Sequence, residues 1–284
     1  LEVTDLGEKL KNLVNQLKKK TLAGNHLKNF LKDEKKQAKK KKKSKTDEPK
    51  KKIFVLDFDG DIKASAVEQL RTEISIILEC AEIDKDQVVH RLESPGGIVH
   101  GYGLAAAQLL RVKQAGLPLT VCVDKVAASG GYMMACVADK IIASPFAILG
   151  SIGVLAQIPN FNRLLKKNDI DYQEITAGDY KRTLSLFGEV TDKGKQKFTE
   201  QIQDTHDLFK DFVSRNRPVV DMNQVATGEY WYGLRALDLK LVDELMTSDD
   251  FLIRESSEAK ILSLQVRGKK SLQDRIQEAV RLVA

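Results

Sequence analysis

From Ile53 to Val123 the chain alternates three short apolar runs with two helical stretches, and that alternation leaves few folds open. Ile53–Phe58, Gln87–Leu92 and Leu119–Val123 are too short for helices and have the composition of strands. Between them, Val67–Ala81 puts Leu70, Ile74, Ile77 and Leu78 on one side of a helix, and Leu104–Gln114 forms a second. Strands alternating with helices imply βαβ crossovers, so the expected class is α/β with a mostly parallel sheet and flanking helices. A further helix should begin near Ser129, and strands at Lys140–Ala143 and Ile152–Ala156 should follow. A helix at Phe161–Lys167 and a strand at Tyr172–Thr176 complete this half. The second half is more helical: Asp192–Ser214 carries Phe198, Ile202, Thr205, Phe209 and Phe212 at steps of three and four. Near the end, Ser271 and Asp274 resemble a capping box opening an amphipathic helix through Leu272, Ile276, Ala279, Val280 and Val283.

Three segments follow: a Lys-rich helix and linker over 1–52, a main domain over 53–250, and a C-terminal strand and helix over 251–284. Charge separates the first from the rest. Residues 1–52 hold 18 Lys and 7 acidic residues, a net +11, while the remaining 28 basic and 33 acidic residues leave 53–284 at −5. Leu6, Leu10, Leu13, Leu17, Leu27 and Leu31 give the tail helical spacing before it fades into the Lys tract at about 38–52. Such a tail is either a solvated, self-repelling linker or a polybasic surface for anionic lipid. The Lys run at 39–43 lacks interleaved aromatics or Arg, so no nucleic-acid partner is expected. No apolar run reaches the roughly 18 residues of a membrane span. Cys80, Cys122 and Cys136, odd in number and widely spaced, read as buried small hydrophobes and not as disulfides or metal ligands.

Two glycine-rich turns carry the chemistry. Glu93-Ser94-Pro95-Gly96-Gly97 and Ala127-Ala128-Ser129-Gly130-Gly131 each follow a strand and precede a helix. Small residues let backbone approach a ligand closely, and free N–H groups at a helix start attract an anion. On neighbouring parallel strands the two turns could converge on one oxygen, as an oxyanion hole requires; alone, each could be only a tight connection. Ser129 stands at the elbow of the second and would need a base to act as a nucleophile. Of the four histidines, His26 lies in the tail, His90 in a strand, His100 just beyond the first turn and His206 on a helix face. Each reads as an ordinary structural histidine. A lysine can replace histidine where burial and hydrogen bonding bring its pKa down by about three from 10.4. Lys181, in the polar loop Gly178-Asp179-Tyr180-Lys181-Arg182-Thr183, could be that base or a plain surface lysine.

Glu93–Gly97, Asp124–Tyr132, Gly150-Ser151-Ile152-Gly153-Val154 and Gly178–Arg182 together resemble the signal peptide peptidase (SppA) family. The resemblance spans about residues 53–246 and takes in Trp231-Tyr232-Gly233 and Leu241-Val242-Asp243-Glu244. It implies the fold shared with Clp protease and crotonase, and a Ser/Lys serine endopeptidase that needs no metal or organic cofactor. By position it makes Ser129 the nucleophile, Lys181 the general base, the Gly96 and Gly130 amides the oxyanion hole, and Ser151 a hydroxyl that holds the lysine. It further implies peptide or protein substrates, such as signal-peptide remnants or membrane-protein fragments, and a homo-oligomeric ring whose adjacent copies share the dyad. The location it implies is the bacterial inner membrane, through a single-pass anchor preceding Leu1 and with the catalytic domain facing the periplasm. The Lys-rich tail argues for the cytoplasmic face instead. Two rival readings remain, a crotonase-like acyl-CoA enzyme and a non-catalytic membrane scaffold, and both would have no use for the Ser129/Lys181 pair.

Overall fold

The computed structural model describes residues 1–43 and 51–266. The chain opens with β1 (Glu2–Asp5), α1 (Leu6–Thr21) and α2 (Gly24–Lys43), then runs β2 (Lys52–Asp59), α3 (Val67–Cys80), β3 (Gln87–Glu93), α4 (Val99–Gln114) and β4 (Leu119–Val123). A denser stretch follows: β5 (Val126–Ala128), α5 (Gly130–Ala135), β6 (Lys140–Ala143) and β7 (Ile148–Gly150). The remainder is α6 (Asn162–Lys167), α7 (Asp192–Asn216), α8 (Met222–Val225), β8 (Tyr230–Tyr232), α9 (Gly233–Asp238), β9 (Glu244–Leu245), α10 (Ser248–Glu255) and β10 (Lys260–Gln265).

The main sheet has the order β1-β10-β2-β3-β4-β6-β9, and only the β1–β10 pair is antiparallel among its described strands. The expected mostly parallel α/β class is met. Along β2, Phe54, Leu56 and Phe58 point into the larger core beneath α3 and α4, while Ile53 and Val55 join Val89, Cys122, Phe251 and Ile261 on the other face. A parallel sheet covered on both faces explains why these strands read as continuous apolar runs. A second sheet, β5-β7-β8, branches from the end of β3 through a bridge between Ser94 and Ala127.

Several expectations need correction. The strand placed at Ile152–Ala156 lies earlier, at Ile148–Gly150, and the chain beyond Ser151 leaves the sheet. Tyr172–Thr176 forms no strand; Ile175 in its middle is 95% exposed and no described strand pairs with it. The second helix starts at Val99, five residues early, and residues 3–37 are a short strand plus two helices broken after Thr21. Cys122 and Cys136 are buried, and burial pushes both thiols up to about 12, but Cys80 at the end of α3 is exposed. The helix expected from Ser271 lies outside the described residues.

Candidate active site

The register of two parallel strands builds the site. Ala128 on β5 pairs with Gly150 on β7, so the next residues, Ser129 and Ser151, leave the sheet side by side. The Ser129 amide donates to the Gly150 carbonyl at 2.8 Å. Both serines have φ of 51°, a left-handed conformation that costs a non-glycine residue about 1–3 kcal/mol and recurs at functional sites. Ser129 is also the N-cap of α5, yet its hydroxyl makes no capping bond. The hydroxyl is thereby left for other partners.

The Ser94–Gly97 turn is fastened to this elbow by backbone. Ser94 donates to Val126 at 2.8 Å, and Ala128 donates to the Ser94 carbonyl at 3.0 Å. Gly96, at φ 89°, approaches so closely that a Cβ there would stand 2.7 Å from the Ser129 Cβ, the Gly130 nitrogen and the Ala128 carbonyl oxygen. Only glycine combines that conformation with that contact. The two turns thus meet at Ser129.

A buried hydroxyl chain holds the first turn. Tyr102 donates to the Asp61 carbonyl at 2.8 Å, its Oη lies 2.6 Å from Ser94 Oγ, and the Gly96 amide donates to Ser94 Oγ at 3.1 Å. Because the single Tyr102 proton goes to a carbonyl, the Ser94 hydroxyl must donate to Tyr102. Burial raises the Tyr102 phenol above its usual range and keeps it a donor. An oxyanion would therefore share the Gly96 amide with Ser94, whereas the Gly130 amide opens α5 with no acceptor among the described residues.

Ser129, Gly96, Gly130 and Ser151 all line one cavity of about 900 Å³, with apolar walls that include Ile98, Val99, Met133, Leu155 and Phe209. Lys181 does not line it. Lys181 sits in an exposed turn, its amide donating to Gly178 at 3.1 Å. Its neighbours Asp179 and Arg182 pair with Lys193 and Glu174, but the Lys181 amine has no ion pair among the described residues. His206 lines the cavity instead, with Nε2 at 3.2 Å from the Ile152 carbonyl oxygen, which also accepts from the Gly228 amide. Sequence reasoning placed His206 on a helix face but not at the site. No cluster able to hold a metal ion occurs among the described residues.

Known proteins match this sequence along nearly the whole chain. Residues 111–262 match the model of peptidase family S49, and residues 1–109 match that of the S49 N-terminal region. The chain belongs to peptidase family S49, a family of serine-type peptidases, as its resemblance to the signal peptide peptidase family led us to expect. It is 54% identical over 282 residues to the probable protease SohB of Haemophilus influenzae, covering 96% of this chain and 80% of that protein. It is also 54% identical over 231 residues to the probable protease SohB of Buchnera aphidicola subsp. Acyrthosiphon pisum, covering 81% of this chain and 68% of that one. A solved variant of the 1510-N membrane-bound stomatin-specific protease aligns over 78% of this chain and 100% of its own, with 13% identity and a TM-score of 0.49.

Proposed function

We propose that the chain is an endopeptidase in which Ser129 is the nucleophile and Lys181 of an adjacent copy is its general base. The observation that carries the reading is the meeting of the two glycine turns on a strained serine under an open, apolar-walled cavity. Ser129 Oγ attacks the peptide carbonyl while the lysine amine takes its proton, and the oxyanion forms against the amides of Gly130 and Gly96. The lysine then returns the proton to the leaving amine, and water releases the acyl group from Ser129. Ser151, beside Ser129 in the same cavity, is suited to hold the incoming amine.

What supports sharing of the dyad is that Lys181 is exposed, without an ion pair among the described residues, and off the Ser129 cavity. A ring of copies supplies the amine from next door. The apolar walls suit extended peptides with apolar side chains, the character of signal-peptide remnants and membrane-protein fragments. A fluorophosphonate probe should label Ser129, and Ser129→Ala should abolish both labelling and peptide hydrolysis. Lys181→Ala should cost at least about 10³-fold in turnover, as loss of a general base does in serine peptidases. Near-normal turnover by Lys181→Ala would remove lysine from the mechanism and turn attention to His206, an ionisable side chain that lines the cavity.

A further inference from the structure

The described helices include none long and apolar enough to cross a membrane, yet α1 leaves its apolar side uncovered. It buries no residue, and Leu10, Leu13, Val14 and Leu17 are between 40% and 62% exposed. At 100° per residue these four side chains fall within about 100° of arc, one continuous stripe. By the same count Lys9 and Lys20 border it on one side and Lys11 and Lys18 on the other. Lys18 stacks over the Phe30 ring of α2 at 5.7 Å and Lys19 pairs with Glu34 at 2.9 Å. Lys9, Lys11 and Lys20 have no ion pair among the described residues.

The stripe is held at a fixed place on the body. β1 pairs with β10 from Glu2 opposite Gln265 to Asp5 opposite Leu262. Asp5 caps α1 by accepting from the Glu8 amide at 2.9 Å, and Leu6 packs against the core cluster containing Phe251 and Leu252. A helix that is anchored at one end, apolar on one side and lysine-bordered has the pattern of an interfacial helix.

We propose that α1 docks on an anionic membrane surface, lying in its plane with the Leu10, Leu13, Val14 and Leu17 stripe among the acyl chains and the bordering lysines on the headgroup phosphates. Charge selects this occupant: α1 carries five Lys against the single acid Glu8, so two copies meeting through it would set +4 against +4, whereas anionic lipid offsets that charge. The surface is separate from the Ser129 cavity, so the inference stands apart from the peptidase reading. The docked helix would hold the body and its cavity beside the membrane.

The test is co-sedimentation of the full chain with phosphatidylcholine vesicles, alone or with roughly a third phosphatidylglycerol, at low and high salt. Binding should be at least about tenfold tighter to the anionic vesicles and should weaken with salt. Leu13→Glu/Leu17→Glu and, separately, Lys9→Gln/Lys11→Gln/Lys20→Gln should each weaken it about tenfold or more, with hydrolysis of a soluble peptide unchanged. The lysine variant, which touches no packed side chain, keeps the test decisive if the glutamates disturb folding. Equal binding by the variants and the parent would overturn the proposal. So would light scattering in which the leucine variant changes the oligomeric mass while vesicle binding persists, because the stripe would then face a second copy.

Discussion

His90 sits in the middle of β3 at 0% exposure, between Leu56 on β2 and Val121 on β4, and neither ring nitrogen has a hydrogen-bond partner among the described residues. Burial drives its pKa down to about 4 from 6.5, with Asp57 pulling weakly the other way. The unfolded ring gains a proton below about pH 6.5 and the folded ring only below about 4, so between those values the unfolded state binds more protons and stability falls with falling pH. A drop from 6.5 to about 4 is worth about 3 kcal/mol, fully lost near pH 4. His90→Leu keeps an apolar side chain of similar size and removes the titration. At neutral pH it should be as stable as the parent or up to about 2 kcal/mol more so, since two unsatisfied nitrogens leave the core. Urea unfolding of both proteins from about pH 7 down to about 4.5 measures the difference directly. The parent should lose stability relative to His90→Leu across that window. Parallel pH profiles would refute the reasoning, and would mean the ring is solvated or paired.

The site makes its own demands. Gly96→Ala forces a Cβ to within 2.7 Å of backbone at a φ of 89°, so kcat/KM on a peptide should fall at least about 100-fold while circular dichroism is retained. Tyr102→Phe breaks the chain to Ser94 and Asp61 and should cost about 1–2 kcal/mol in urea unfolding, with a lowered kcat because the Gly96 turn is less firmly held. Arg217, 5% exposed, grips Asp243 through two bonds of 2.9 and 3.1 Å and the Lys240 carbonyl at 2.7 Å. Arg217→Met should destabilise the fold by about 3 kcal/mol in the same assay, without the loss of turnover expected of Gly96→Ala.

What could be read from the sequence, and what could not, follows physical lines. β2, β3 and β4 were legible because both faces of a parallel sheet are covered, which leaves an unbroken apolar signature. The start of α4 was hidden by Gly101 and Gly103, poor helix formers, although Tyr102 between them anchors it in the core. The apolar spacing at Ile152–Ala156 imitated a strand because Val154 and Leu155 form cavity wall. The turns holding Gly96, Ser129 and Gly130 stood out because a tight turn on a parallel strand admits few residue types, whereas Ser151 was reached only through the family resemblance. The Ser94–Tyr102–Asp61 chain left no such mark, since it joins residues far apart in the chain and ends on a backbone carbonyl. His206 shows the same limit: which side of α7 meets Ile152 is a tertiary fact.

The shared dyad is tested most directly by mixing two inactive proteins, Ser129→Ala and Lys181→Ala, under conditions in which labelled subunits are seen to exchange. In a randomly mixed ring about one interface in four joins an intact Ser129 to an intact Lys181. Partial recovery of peptide hydrolysis, growing with the time allowed for exchange, is the predicted result. Persistent inactivity in rings that demonstrably contain both variants would contradict the account and return nucleophile and base to a single copy.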